Sequence, residues 1–199
     1  MGISRIKTTE DRNYFILWVT WLVILLVRLI GFVCTFAYVK GDSMYPTLEN
    51  GMFYEKTMYI NDVNDLNIGD IVTFKVNDKF FVKRVIGLPQ DKIEFVDIGD
   101  KVCLAVNDTF INEKELWDLE IVNKYEHPTE TIKVSNDCIY VLGDNREYST
   151  DSRDLGEIPQ ESLQYKLSTK PVKKIHYISV LSLIFILLII QLCDFLNLA

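Results

Sequence analysis

The sequence predicts a mainly β protein, in which a twisted antiparallel β-sheet domain is flanked by an N-terminal and a C-terminal transmembrane helix. Two observations support this fold class. Long apolar runs lie near both ends of the 199-residue chain, at residues 14–39 and 177–192. The polar stretch between them alternates short β-branched and aromatic runs with turn residues, which is the pattern of strands and hairpins. From Gly41 to Tyr165 this stretch has about 125 residues, a usual size for one domain.

The first apolar run predicts a transmembrane helix over residues 14–30. Ending the helix there lets Arg28 extend to the far interface, whereas a charge in mid-bilayer costs at least about 2.5 kcal/mol. Residues 31–40 would then leave the membrane as an apolar, β-prone segment. A cleaved signal peptide is the competing interpretation, and it is disfavoured because Arg28 interrupts the apolar core that such a peptide needs.

The second apolar run predicts another transmembrane helix, because it is long and shows no polar face. A helix lying on the membrane surface is the alternative. The chain is thereby divided into a cytoplasmic tail, a first span, a β-rich domain, a basic juxtamembrane segment and a second span, at residues 1–13, 14–30, 31–165, 166–176 and 177–196.

The orientation in the membrane is predicted from the basic residues that precede each span. The two groups of basic residues favour opposite orientations. A cytoplasmic N-terminus is favoured by three residues before the first span: Arg5, Lys7 and Arg12. A cytoplasmic domain is favoured by four residues before the second span: Lys166, Lys170, Lys173 and Lys174. The first helix usually dominates, so we expect an extracytoplasmic domain in a multi-pass protein of the plasma membrane.

Charge is distributed unevenly along the chain, whose formal net charge is −7. Residues 41–165 contain 12 Lys and Arg against 25 Asp and Glu, a net charge of −13, and the other residues contain 9 against 3, a net charge of +6. The acidic domain argues against nucleic acid as a partner, because backbone binding needs clustered cations. The basic ends suit the surface of a lipid bilayer.

Most strands of the domain are predicted from short apolar runs and the turns between them. Residues 71–76 and 79–86 predict a hairpin around Asn77-Asp78, because these residue types tolerate the positive φ of a tight turn. A second ribbon is predicted for residues 102–106 and 110–111, with further strands at Ile93–Val96, Thr131–Val134 and Cys138–Leu142. The acidic segment 112–125 is expected at the surface.

The four cysteines form no metal-binding spacing, so a zinc site is not expected. No cofactor is expected either. Cys34 and Cys193 lie in or beside the apolar runs. For a domain outside the cytoplasm, two alternatives remain for Cys103 and Cys138: a disulfide between them, or two free, buried thiols.

Ser43 is the first candidate for a catalytic side chain. It lies in a loop bounded by Gly41 and Pro46. A hydroxyl on such a turn can attack a carbonyl, with its own amide helping to hold the oxyanion, although the same pattern fits an ordinary turn serine. His127 precedes a proline in an acidic stretch and His176 is at the membrane edge, so a Ser–His–Asp triad is disfavoured.

Lys83 is the candidate base. Phe81 and Val85 share its face in a strand, and desolvation by apolar neighbours lowers the pKa of a lysine. Lowering that pKa by three units from about 10.4 corresponds to about 4 kcal/mol and makes a usable fraction neutral at pH 7. A neutral amine can take the Ser43 proton and return it to the leaving amine. The competing interpretation is an edge lysine that extends into solvent.

The polar segment 143–153 follows an apolar strand and is dense in hydrogen-bonding groups of opposite charge. Such a density suggests a network that shapes a site, while an exposed loop with side-chain turns is the alternative.

These segments together resemble the bacterial type I signal peptidases. The resemblance lies in four motifs in the family's order: Ser43–Leu48, Gly69–Val72, Lys83–Pro89 with Asp91, and Gly143–Arg146 with Ser149, Asp151, Ser152 and Arg153. It covers the domain from Gly41 to about Gly156 and leaves Asp97–Asp137 as variable filler. Two departures are Gln90, where a glycine is common, and Gly41, where some members have a hydroxyl residue.

The resemblance implies a Ser–Lys dyad with Ser43 as nucleophile and Lys83 as general base. It also implies that Ser149 hydrogen bonds to the Lys83 amine and orients it. The remaining support is expected from Gly41 and Met44 beside the nucleophile and from two ion pairs, Arg84 with Asp144 and Asp151 with Arg153.

The function implied by the resemblance is removal of signal peptides from secreted preproteins after small-x-small sites, near the secretion translocon. The substrate would bind as an extended strand whose main chain supplies affinity, with small pockets supplying specificity. Alternatives are a specialised Ser–Lys peptidase of pilus or conjugation systems and a catalytically silent module that binds secreted chains. Self-cleaving repressors are disfavoured because no DNA-binding domain is visible.

Overall fold

The computed structural model describes residues 9–120 and 125–172 of the chain. Two compact units are distinguished, of which one contains the N-terminal helix and the other is the β domain, Ala37–Pro171. The predicted C-terminal span at residues 177–196 lies outside the described residues, as do residues 1–8 of the predicted tail.

The N-terminal helix, α1, runs from Thr9 to Thr35. Its window Tyr14–Gly31 is long and apolar enough to cross a membrane, and it is the one such helix in the described part of the chain. The helix extends beyond the predicted bounds at both ends, so the β-prone interpretation of residues 31–35 is wrong. A helix satisfies its own backbone hydrogen bonds, and Arg28 therefore does not have to end it.

In the residues that the structure describes, the β domain contains eleven β-strands and two short α-helices. In chain order they are β1 (Phe36–Tyr38), β2 (Phe53–Tyr59), β3 (Ile71–Val76), β4 (Lys79–Gly87), β5 (Lys92–Ile98), β6 (Lys101–Val106), β7 (Thr109–Phe110), α2 (Glu113–Trp117), β8 (Ile132–Lys133), β9 (Cys138–Leu142), α3 (Ser152–Leu155), β10 (Ile158–Pro159) and β11 (Leu163–Pro171).

These strands form two sheets. The seven-stranded sheet has the order β1-β2-β11-β3-β4-β9-β10, and the four-stranded sheet has the order β7-β6-β5-β8. The pairings from β2 to β10 in the first sheet and all pairings in the second are antiparallel. The predicted mainly antiparallel β fold is therefore confirmed.

Both predicted hairpins are present at the predicted turns. β3 and β4 pair from Ile71 opposite Arg84 to Val76 opposite Lys79. Asn77 and Asp78 between them have φ angles of 48° and 62°. The β6–β7 turn repeats this geometry, since Asn107 and Asp108 have φ angles of 51° and 61°. Positive φ at both central residues gives a turn whose twist matches that of the strands.

The segment at residues 112–125 differs from its prediction as a surface stretch. It contains the one-turn helix α2, which ends at Asp118 in a left-handed conformation. Glu113, Leu119 and Tyr125 are all buried. The acidic composition conceals this burial, because Glu113 meets an arginine from a distant part of the chain.

The end of the domain also differs from its prediction. β11 continues through Pro171, so residues 166–171 belong to the sheet and not to a separate basic segment. Lys166 forms a 2.7 Å ion pair with Asp70. Cys103 and Cys138 are free thiols.

The core packs against both faces of the seven-stranded sheet. Val72, Phe74 and Val85 belong to one buried cluster, while Ile86 and Leu142 belong to another that extends to the four-stranded sheet. β4 is an interior strand between β3 and β9, and every residue from Lys83 to Gly87 is buried. The strand that bears the candidate base is thus covered on two sides.

Candidate active site

The loop that bears Ser43 is anchored by apolar side chains. Met44 and Leu48 are fully buried in a cluster with Val39 and Tyr54, and the Leu48 amide donates to the Met44 carbonyl at 2.8 Å. Gly41 begins the loop with a φ of 100°, a conformation that favours glycine. The buried anchors leave Ser43 only partly covered, with its hydroxyl directed to Lys83.

Lys83 lies beside that hydroxyl. Its Nζ is 2.6 Å from the Ser43 Oγ and donates at 2.9 Å to the Val82 carbonyl. The residue is 2% exposed. Burial lowers the pKa of Lys83 to about 8, against the opposing effect of the Asp151 and Asp144 carboxylates. The structure therefore brings together the two residues of the predicted dyad.

The origin of this burial differs in one respect from the sequence argument. Alternation along a strand would cover only the face that Lys83 shares with Phe81 and Val85. Arg84 and Ile86, on the other face, are also buried, because β4 has packed layers on both sides. β4 is thus buried on both faces, whereas alternation along the strand predicted burial of one face only.

Arg84 forms the predicted ion pair with Asp144. The guanidinium donates through Nε and Nη2 to the two carboxylate oxygens at 2.8 and 2.6 Å. The Arg84 and Asp144 side chains are 4% and 0% exposed. A further donation joins Arg84 to the Gly69 carbonyl at 2.9 Å, and the ring of Trp117 lies 5.0 Å from the guanidinium carbon. This bidentate ion pair neutralises the two buried charges and also fixes the orientation of both side chains.

Asp151 forms the second predicted ion pair, with Arg153, at 2.8 Å. Its other oxygen accepts from the Gly143 amide at 2.9 Å. Although burial raises the pKa of Asp151, the hydrogen bond and charge of Arg153 and the Gly143 amide bring that pKa below its ordinary value. The carboxylate thus remains charged and holds the segment that follows β9.

Ser149 is close to the site but is not bonded as predicted. Its Oγ is buried, and a hydrogen bond from this side chain contributes to the low pKa of Asp151, whereas the Lys83 amine bonds to Ser43 and to the Val82 carbonyl. The side chain packs against Gly143, where an added Cβ would overlap Ser149 and would lie 2.6 Å from the Ser43 carbonyl oxygen. The predicted hydrogen bond from Ser149 to the Lys83 amine is absent from this arrangement.

Three residues that the sequence argument did not single out also hold the site. Asn145 makes two hydrogen bonds of 3.1 Å to the nucleophile loop. Its backbone N–H donates to the Ser43 carbonyl, and its side-chain Nδ2 donates to the Asp42 carbonyl. Arg146 donates through Nε to the Gly143 carbonyl at 3.0 Å and forms a buried ion pair with Glu113. Asn145 and Arg146 could have been found from the sequence, because they belong to the motif Gly143–Arg146. Glu113 could not, because it lies in the stretch that the family resemblance leaves as variable filler.

Comparison with known proteins identifies the family of this chain. Residues 12–169 match the family described as signal peptidase, peptidase S26. Because the match spans most of the chain, the protein belongs to the peptidase S26 family of signal peptidases.

Several curated relatives are similar along much of their length. Signal peptidase I S of Bacillus subtilis (strain 168) is 33% identical over 142 residues, which are 66% of this chain and 72% of that protein. Signal peptidase I P of Bacillus subtilis subsp. natto is 34% identical over 161 residues, 74% of this chain and 83% of that protein. A crystal structure of a signal peptidase I from Enterococcus faecalis V583 is 29% identical and covers 52% of this chain and 97% of its own, with a TM-score of 0.43.

Proposed function

We propose that this chain uses Ser43 as the nucleophile and neutral Lys83 as the general base of a type I signal peptidase. The peptidase activity itself follows from membership in the family, and its substrates are preproteins with signal peptides. The observation that supports the dyad is the 2.6 Å approach of a nearly fully buried lysine amine to the serine hydroxyl.

The low pKa of Lys83 makes this role feasible. With a pKa of about 8, about one lysine in ten is neutral at pH 7, against about one in two thousand at the ordinary value. The neutral amine takes the Ser43 proton as Oγ attacks the scissile carbonyl, and it returns that proton to the departing amine. Water then hydrolyses the acyl-enzyme, and Ser43 is regenerated.

The supporting residues keep the two reacting groups in place. The Arg84–Asp144 and Asp151–Arg153 pairs supply buried charges of both signs near Lys83 without exposing the amine to water. Met44 supports the nucleophile loop from below, since it is buried in the core beside Val39. Gly41 leaves open space next to the nucleophile, so backbone amides must stabilise the oxyanion.

The membrane arrangement completes the proposal. We propose that α1 is a membrane anchor, with its N-terminal residues cytoplasmic and the β domain extracytoplasmic, where preproteins leave the translocon. The second span predicted from the sequence, residues 177–196, lies outside the described residues and stays a prediction. Externally added protease should digest the domain in intact spheroplasts, and protection of the domain would contradict this orientation.

Cleavage of a preprotein with an Ala-x-Ala site tests the dyad directly. The full-length protein in detergent micelles should cut after that site, and Ser43→Ala and Lys83→Met should each abolish cleavage. Lys79→Met, at the exposed start of the same strand, is the matched control and should keep full activity. Activity retained by Lys83→Met would rule out the proposed base.

A further inference from the structure

The segment that follows β9 is attached to the nucleophile loop by its backbone. The Asn145 amide donates to the Ser43 carbonyl, and Gly143 approaches that carbonyl so closely that no side chain would fit. The position of Ser43 therefore depends on the position of the Gly143–Asn145 segment.

The backbone N–H and carbonyl of Gly143 bond to side chains of opposite charge. Its N–H donates to Asp151 at 2.9 Å, and its carbonyl accepts from the Arg146 Nε at 3.0 Å. The Asp151 contact belongs to a motif that the family resemblance covers. The Arg146 contact depends on what holds Arg146.

Arg146 is held by residues of the stretch between β7 and β8. Glu113, the first residue of α2, accepts from both terminal nitrogens of the guanidinium, and the Tyr125 hydroxyl bonds to Nη1 at 3.1 Å. The Glu113 and Arg146 side chains are 8% and 2% exposed. Without the Glu113 carboxylate, Arg146 would be a buried charge with no counter-charge in contact among the residues that the structure describes, and such a charge tends to move toward water.

We propose that Glu113 is a positioning residue for the peptidase reaction: through Arg146 it fixes the Gly143 carbonyl, and through the Gly143–Asn145 segment it fixes Ser43. The inference rests on the proposed role of Ser43 as nucleophile. The Glu113 side chain bonds to Arg146 and to neither residue of the dyad. Its effect is on the placement of the serine hydroxyl, where displacements of about 1 Å cost up to about a hundredfold in rate.

The placement of α2 is consistent with this role. Asn112 caps the helix, with its side chain accepting from the Glu115 amide, and this cap fixes the first residue of the helix. Trp117, at the other end of the same turn, lies over Arg84 and against Gly69. One helical turn from the variable stretch therefore supports both arginines that flank the site.

The primary test compares Glu113→Gln with Glu115→Gln in steady-state cleavage of the preprotein. Both variants remove one negative charge from α2, but Glu115 is exposed. We expect kcat to fall about tenfold to a hundredfold in Glu113→Gln with KM within about twofold of wild type, while Glu115→Gln matches wild type. Equal kcat values in the two variants would overturn the proposal.

A second variant separates positioning from folding. Arg146→Lys keeps a cation for Glu113 but removes the Nε donor to the Gly143 carbonyl. We expect Arg146→Lys to unfold nearer the wild-type temperature than Glu113→Gln, yet to lose a similar factor in kcat. The double variant should lose no more than Arg146→Lys alone, because both changes act through one contact. Full activity of Arg146→Lys, or independent losses that multiply, would contradict the proposed route.

Two further readouts distinguish this inference from the dyad. The pH at which activity is half-maximal should be the same in Glu113→Gln and wild type, since Lys83 is untouched, and a shifted midpoint would contradict positioning. An inactive Ser43→Ala together with a fully active Glu113→Gln would defeat only the role of Glu113. An active Ser43→Ala would defeat the dyad itself, whatever the Glu113 result.

Discussion

The two sheets of the β domain both contain ion pairs, but in opposite environments. In the seven-stranded sheet, the Arg84 and Asp144 side chains are 4% and 0% exposed. In the four-stranded sheet, the Lys92 side chain is 40% exposed and that of its partner Asp108 is 76% exposed. The distances are similar, at 2.6 and 2.8 Å, so the difference lies in the surroundings.

The lysines of the two sheets show the consequence. Burial lowers the pKa of Lys83 in β4 to about 8, whereas hydrogen bonds to Asp108 and Glu94 raise the pKa of Lys92 in β5. The same side chain is prepared as a base in one sheet and remains a cation in the other. Desolvation, and not the presence of nearby carboxylates, decides between these outcomes.

The largest expected effect is on the buried pair. Asp144→Asn leaves Arg84 buried without a counter-charge, and we expect the free energy of unfolding to fall by about 3–5 kcal/mol. Chemical denaturation of the full-length protein in detergent measures this change. Asp78→Asn, at an exposed turn of the same sheet, is the control and should unfold at the wild-type midpoint. Equal midpoints for the two variants would contradict the comparison.

The next effect concerns crowding beside the dyad. In Gly143→Ala the new methyl group would overlap Ser149 and press on the Ser43 carbonyl. We expect a cost of about 1–3 kcal/mol in stability and a loss of about tenfold or more in kcat. Gly99→Ala, in the β5–β6 turn of the other sheet, meets open space but is strained by a φ of 63°, so it controls for kcat and not for stability. Gly99→Ala should leave kcat unchanged. A wild-type kcat in Gly143→Ala would contradict the prediction, because it would mean that Ser149 and the Ser43 carbonyl move aside without affecting the reaction.

A smaller, graded effect is expected from pH. The reaction needs neutral Lys83, so kcat/KM should rise about tenfold per pH unit below 8 and level off above it. Initial rates of preprotein cleavage between pH 6 and 10 measure this profile. Asp108→Asn, which alters the lysine of the other sheet, should give the same curve. A midpoint near 6.5, typical of histidine, would exclude Lys83 as the titrating group.

The smallest effect is expected from the exposed pair. Asp108→Asn removes the partner of Lys92 where water already solvates both groups, and surface pairs of this kind contribute little. The denaturation midpoint should therefore remain at the wild-type value. A clear loss of stability would mean that the contrast between the two sheets is weaker than their exposures indicate.

Local patterns were sufficient to predict much of the fold. The β3–β4 and β6–β7 hairpins lie where Asn-Asp pairs interrupt apolar runs, and β9 has its predicted bounds. These features depend on neighbours in the chain: alternation of side chains across a strand and the ability of Asn and Asp to adopt positive φ. α1 was less well predicted, because the charge of Arg28 was given more weight than the continuity of helical hydrogen bonds.

The chain alone determined the candidates Ser43 and Lys83 and, through the family resemblance, the pairs of Arg84 and Arg153. Only the tertiary structure decided that β4 is covered on both faces, that Ser149 lacks its expected partner, and that Glu113 meets Arg146 across 33 residues. The physical reason is the range of each interaction. Turn and strand preferences act within a few residues, whereas the desolvation of an amine and the choice of an ion-pair partner depend on which distant segments pack together.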